Sequence, residues 1–196
     1  MIDQLWDNSS LVNRHLDTPR LTLRLLELPF LHWCLTAEYA AAQQWLGTQL
    51  PDAWLAQWKL IALRHKDLSL DPDYRLWGLR AICLRETGAM IGHIGFHTAP
   101  GARYLQTLGI SNGIELGYEI YPQWRRQGYA GEALDAMLHL ARYHQVATAV
   151  LSISPENVPS TALALRRGFI QFAEHQDPED GLEWIYRLNL APPLVQ

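Results

Sequence analysis

Residues 115–134 read E-L-G-Y-E-I-Y-P-Q-W-R-R-Q-G-Y-A-G-E-A-L, an alternating strand, a short basic loop and the start of an alanine-rich amphipathic helix. A loop that opens a helix presents unpaired backbone N–H groups and the positive end of a helix dipole, a setting that favours a diphosphate. Within Arg125-x-x-Gly128-x-Ala130, Gly128 removes the side chain where backbone would approach phosphate oxygens, and Ala130 keeps the next position small. Arg125 and Arg126 add charge-assisted donors. The plain alternative is an ordinary strand–loop–helix junction with a Gly and an Arg pair. The loop is neither a Walker loop, since no G-K-[S/T] follows, nor the dinucleotide G-x-G-x-x-G.

Working outward, period two puts Glu115, Gly117 and Glu119 on one face of the strand at 114–121, with Ile114, Leu116, Tyr118 and Ile120 on the other. The helix from near Tyr129 carries Ala130, Ala133, Leu134, Met137, Leu138 and Ala141 at core-facing spacing. Upstream, 18–27 alternate as a first strand and 30–46 read as a helix stopped by Gly47. A second helix is expected over 52–65 with Trp54, Trp58 and Ile61 on one face, then an acidic loop at 67–73. Two apolar runs, 75–86 and 89–97, flank Thr87-Gly88 as a hairpin, and 98–112 read as a connector. Downstream come a buried strand at 149–154, a helix from P-E-N-V-P-S to Gly168, and strands at 169–174 and 182–190 joined by an acidic turn. The tail 191–196 is expected to fray. The order β–α–α–β–β–β–α–β–α–β–β implies an α/β (α+β) fold with a mixed central sheet.

The 196 residues fit a single domain spanning 1–196, with a core at about 18–190 and short tails. With 48% hydrophobic and 18% charged residues the chain can build a full core. A net charge of −4 argues against nucleic acid as a main partner. Cys34 and Cys83 form no C-x-x-C and read as small buried residues. The first ten residues have neither a basic nor an apolar region of a secretory signal, and no run spans a bilayer, so a cytoplasmic protein without a membrane partner is expected. Eight histidines, His93 and His97 among them, show no metal spacing, and no metal is expected.

With its neighbours the loop becomes specific. R-R-Q-G-Y-A resembles the motif-A loop [Q/R]-x-x-G-x-[G/A] of the GNAT superfamily, the acetyl-CoA-dependent N-acetyltransferases. G-Y-E-I-Y-P before it, G-E-A-L after it, T-P-R-L-T-L-R near the start, and N-V-P-S with R-R-G-F near the end are similar to the branch that acetylates ribosomal-protein N-termini. The resemblance implies a mixed, mostly antiparallel sheet of about seven strands with helices on both faces. It also implies a splayed parallel pair, here the strands at 114–121 and 149–154. Acetyl-CoA would be the co-substrate, its pantetheine bonding backbone around Ile120. The pyrophosphate would sit on the N–H groups of Arg126, Gln127, Gly128, Tyr129 and Ala130, with Arg125 as a further cofactor-binding residue and Asn157 contacting the cofactor or fixing the loop. Asn157 is equally suited to capping the helix that follows it.

The reaction implied is direct attack of an amine on the thioester, with proximity contributing most of the acceleration. An α-amino group of pKa near ~8 is about one-tenth neutral at pH 7, whereas a lysine near ~10.4 is neutral in about one molecule in two thousand. Modest base catalysis therefore suffices for a protein or peptide N-terminus, or another amine of low pKa. Glu115, ten residues before Arg125, is the expected base, with Glu119 second and an ordinary solvated glutamate as the plain reading of either. Many relatives carry a tyrosine acid four residues before the glycine of the last helix, where this chain has Ala164. The ribosomal-protein branch often has a serine where this chain has Ser160, so the resemblance implies Ser160 as the acid, its plain reading being a first-turn serine. Trp33, Trp45, Trp54 and Trp58 lie in the segment that in this family walls the acceptor site, though a tryptophan stripe more often packs as core. Small-molecule amines as acceptors, a catalytically silent CoA-binding module and a homodimer stay open.

Overall fold

Alternation at 21–25 puts Leu21, Leu23 and Leu25 on one side, and all three are buried as β2 (Leu21–Leu25) of the computed structural model. The structure describes residues 15–177 and 181–190. Readings of the N-terminal segment, the centre of the acidic turn and the tail 191–196 fall outside the described residues. The chain divides into two compact units, 1–95 with 118–136 and 96–117 with 137–196.

In the first unit, β1 (His15–Asp17), β2, β3 (Arg80–Leu84) and β4 (Met90–Phe96, all but its last residue) pair antiparallel in sequence order. The short β1 is the strand beyond the seven expected. It turns back at Thr18, whose N–H donates to the Leu21 carbonyl at 2.8 Å and whose hydroxyl oxygen accepts from the Leu21 N–H at 2.8 Å. The expected helix 30–46 is two helices, α1 (Leu28–Leu35) and α2 (Tyr39–Leu46), because Ala37 adopts a left-handed φ of 59°. The Arg24 guanidinium closes the end of α2 by donating to the carbonyls of Leu46 and Trp45.

The second expected helix also breaks, into α3 (Asp52–Leu55) and α4 (Trp58–Leu70), so Trp54 and Trp58 do not share a face. Trp54 is fully buried against Phe30, its Nε1 donating to the Cys34 sulfur at 3.4 Å, while Trp58 is exposed. The acidic segment 67–73 is mostly helical, since α4 runs to Leu70. A 3-10 turn, Pro72–Trp77, then starts where the Asp71 side chain accepts from the Asp73 N–H at 3.0 Å.

In the second unit the connector 98–112 carries a short helix, α5 (Arg103–Thr107). β5 (Gly113–Ile120) begins in this unit and ends in the first, and α6 (Tyr129–Tyr143) also passes from one to the other. The remaining elements are β6 (Thr148–Ile153), α7 (Val158–Arg166), β7 (Ile170–Asp177) and β8 (Gly181–Asn189). β6 pairs antiparallel with β8 along its whole length, and β8 with β7. Leu105, Ile110, Val150 and Ile185 form a core with Phe172 and Ala173 packed against it. The sheet is thus mixed and mostly antiparallel, with flanking helices and the parallel pair β5–β6.

That parallel ladder is short. It joins Gly113, Ile114 and Glu115 to Thr148, Ala149 and Val150, while β6 continues three residues further bonded to β8. A parallel pair that stops pairing midway leaves one strand's edge groups unladdered, which is the divergence the sequence resemblance implied.

Candidate active site

The loop at 125–130 is exposed along Arg125–Gly128, and its backbone takes left-handed turns at Arg126 (φ 61°) and Gly128 (φ 84°). Alternating handedness turns successive N–H groups toward one side, the form of an anion-binding concavity. The loop then feeds the N-terminus of α6, whose first-turn N–H groups have no intrahelical acceptor. A Cβ on Gly128 would lie 3.4 Å from the Arg20 guanidinium and would require a strained φ. Arg125 has partners of its own within the fold: its Nε donates to the Ile120 carbonyl at 2.7 Å, and Nη2 lies 3.7 Å from Glu119. It therefore ties the loop to the end of β5.

A second tie was not read from the sequence. Glu132, in the first turn of α6, accepts from the Thr18 hydroxyl (2.5 Å), the Arg20 N–H (2.8 Å) and Arg20 Nε (2.7 Å). Arg20 also donates to the Gln127 carbonyl at 3.0 Å and lies over the Tyr129 ring. Partial burial raises the Glu132 pKa, but the bonds from Thr18 and Arg20 outweigh it and hold the carboxyl below its usual range. The similar-looking runs T-P-R and G-E-A-L thus meet in one interaction. Their separation of more than 100 residues is why neither run by itself revealed it.

Glu115 is not a solvated strand glutamate. It is buried, and three side chains converge on it within the second unit. Ser152 Oγ donates to Oε1 at 2.5 Å, Tyr104 Oη donates to Oε2, and His97 Nδ1 lies 3.6 Å from Oε2. Burial alone would push the carboxyl up; His97, Ser152 and Tyr104 together prevail and hold it below the ordinary carboxylate range. Ser152 interrupts the apolar run Ala149–Ile153 of β6, a signal visible in sequence, whereas Tyr104 lies in a connector without a motif. His97 sits just beyond β4 and its N–H donates to the Glu115 carbonyl at 2.8 Å.

Glu119 has a separate set of partners, accepting from Gln57 Nε2 at 2.9 Å beside Arg125. Asn157 caps α7, its side chain accepting from the Ser160 N–H at 3.2 Å, so Asn157 and Ser160 are adjacent as the cap reading required. Ser160 is half-buried in the first turn, and Ala164, in the place of the relatives' tyrosine, is fully buried. Trp33 and Trp45 are half-buried. Among the described residues no group of three His, Cys, Asp or Glu side chains is placed to hold a metal ion. Nor is any described helix long and apolar enough to cross a membrane.

Residues 20–170 match the family described as the Acetyltransferase (GNAT) domain. The chain belongs to this acetyltransferase family. No curated protein matches it significantly. Solved structures do match in fold. A ribosomal-protein-serine acetyltransferase from Vibrio cholerae is 22% identical with a TM-score of 0.60, over 89% of this chain and 97% of that one. A ribosomal L7/L12 alpha-N-protein acetyltransferase in complex with coenzyme A is 17% identical with a TM-score of 0.61, over 90% and 98%. The microcin C7 self-immunity acetyltransferase in complex with acetyl-CoA and AMP is 16% identical with a TM-score of 0.58, over 88% and 93%.

Proposed function

We propose that the protein is an acetyl-CoA:amine N-acetyltransferase, the whole chain serving as one such domain, and that its acceptor is a protein or peptide N-terminal α-amine. The observation that carries the reading is the Glu115 cluster: a buried carboxylate, held ionised by two hydroxyl donors and the adjacent His97, on the strand that leads into the loop. Burying a charge is costly unless it is paired, and such an arrangement is a frequent mark of a proton-handling site. The family match supplies the acyl donor. The name of one neighbour above, the alpha-N-protein acetyltransferase, supports an N-terminal acceptor, that of another supports a ribosomal protein, and an amine of pKa near ~8 needs only the mild help a carboxylate-centred site provides.

In this reading Arg126 to Ala130 bind the pyrophosphate, with Arg125 shaping the loop. Pantetheine takes the edge of β5 past Glu115, toward Ile120, where the ladder to β6 has ended. Asn157 holds the start of α7 so that Ser160 can protonate the departing thiolate. Glu115 is the charge on which removal of the amine's proton depends. A small-molecule amine is the alternative acceptor, in keeping with the microcin immunity neighbour, and the buried Ala164 in place of a tyrosine keeps a CoA-binding module without turnover as the third reading.

Release of free thiol from acetyl-CoA separates these. Peptides with a free N-terminus should support it, and the same peptides with a blocked N-terminus should not. Turnover only on polyamines or amino acids would transfer the assignment to small molecules. Binding of acetyl-CoA without thiol release on any acceptor would leave a binding module.

A further inference from the structure

The Glu115 carboxylate is poorly placed to take a proton itself. Ser152 occupies Oε1, Tyr104 occupies Oε2, and the group is only 6% exposed, so an incoming amine would have to displace a donor to reach it. The same contacts hold the carboxyl below its usual range, which weakens it further as an acceptor from an ammonium of pKa near ~8. The side chain that reaches outward from this cluster is His97, with 42% of its side chain exposed.

Its orientation suits a base. Nδ1 faces Glu115 Oε2, and the carboxylate favours the tautomer with the proton on Nδ1, which makes Nε2 the basic nitrogen. The backbone bond from His97 N–H to the Glu115 carbonyl fixes the two residues side by side. Nε2 lies over Gly117 so closely that a Cβ there would stand 2.7 Å from it. The missing side chain at Gly117 is therefore the space the imidazole occupies.

We infer that His97 is the catalytic base of the proposed acetyl transfer, with Glu115 the positioning residue that sets its tautomer and balances its charge. The inference rests on the transferase reading. The ammonium gives one proton to His97 Nε2, which passes it to solvent. The amine lone pair then forms the N–C bond as the C–S bond breaks; the Ser160 hydroxyl gives its proton to the CoA thiolate and regains one from the second N–H of the amine. Glu115 on β5 faces His97, and Tyr104 on α5 and the Ser152 hydroxyl of β6 share that carboxylate with it.

The test is the pH dependence of kcat with a free-N-terminus peptide and acetyl-CoA. His97→Ala should lower kcat at pH 7 by about 10- to 100-fold, leave the KM for acetyl-CoA within about twofold, and lose less as pH nears the amine's own pKa; added imidazole should restore part of the loss. Gly117→Ala should give the same signature with an unchanged melting temperature, because its methyl group pushes away only the ring. A His97→Ala profile that superimposes on the parent's overturns the assignment, as does loss in Glu115→Gln without loss in His97→Ala, which would make the carboxylate the direct base. A parent protein that binds acetyl-CoA yet transfers to no amine overturns the transferase reading, and the role of His97 with it.

Discussion

His93 and Glu115 are both buried ionisable residues, yet their surroundings drive them in opposite directions. Glu115 is met by donors and stays charged. His93 packs against the rings of Trp54 and Tyr121, and burial lowers its pKa to about 4. An unfolded histidine near ~6.5 binds protons that the folded one refuses. The folded pKa is the lower one, so stability is intact above ~6.5 and is lost as pH falls from there toward 4. The loss is about 2 kcal/mol at pH 5 and about 3 kcal/mol near pH 4. His93→Leu should flatten this part of the stability–pH curve in urea titrations at pH 7, 6 and 5. Parallel curves for the two proteins would show that His93 is not held neutral. The half-buried His144, also lowered by burial, contributes slope in the same direction and cancels in the comparison. The sequence showed no metal spacing around His93, and its burial depended on a tryptophan 39 positions away.

At the scale of elements, the critical joint is where β2 meets the first turn of α6. Glu132 carries three bonds there, and Arg20 reaches on to the Gln127 carbonyl, so one charge holds both the helix start and the loop before it. Glu132→Gln keeps the shape and removes the charge. It should cost about 1–2 kcal/mol at pH 7, in the range of hydrogen bonds to charged groups. Acetyl-CoA affinity should fall several-fold because the loop is less well held. The folded pKa of Glu132 lies below its unfolded value, so its contribution is present above about pH 4.3 and disappears as pH falls further. Equilibrium denaturation at pH 7 and pH 3.5, together with calorimetric titration of acetyl-CoA, checks both parts; an equal deficit at both pH values would mean that the charge is not what matters. The boundaries of the elements were legible where punctuation was strong, as at Gly47, Gly168 and the β5–loop–α6 junction. They were misread at Ala37 and Ala56–Gln57, where the chain turns without Gly or Pro because neighbouring packing, not local propensity, sets the break.

For the molecule as a whole, ligand linkage offers the broadest check. Acetyl-CoA at 100 times its Kd should stabilise the folded chain by about 2.7 kcal/mol. For a chain of this length that corresponds to a melting temperature higher by about 5–10 °C. Gly128→Val, at an exposed position whose φ of 84° suits glycine, should fold yet lose most of that shift. An equal shift in parent and variant would remove the loop from the binding site, and none in the parent would remove acetyl-CoA as a ligand. Cys34 and Cys83 are both buried thiols whose pKa values burial raises, to about 11 for Cys83, so the melting curve should not depend on added reductant.

The sequence by itself determined most of the order of strands and helices and a glycine loop opening a helix, because periodicity and turn residues are local properties; a contiguous motif gave the resemblance to the acetyltransferase family, and that resemblance implied the parallel pair. It also singled out Glu115. Only the tertiary structure decided what Glu115 is. Tyr104, His97 and Ser152 come from a short helix, a strand end and the parallel neighbour, and folding brings them onto one carboxylate. The same is true of the brace from Arg125 to the Ile120 carbonyl, and of Glu132, joined to Thr18 and Arg20 across more than 100 residues. A residue's type and spacing state which bonds it can make; which of those bonds satisfy it is set by the groups that burial leaves within about 3 Å.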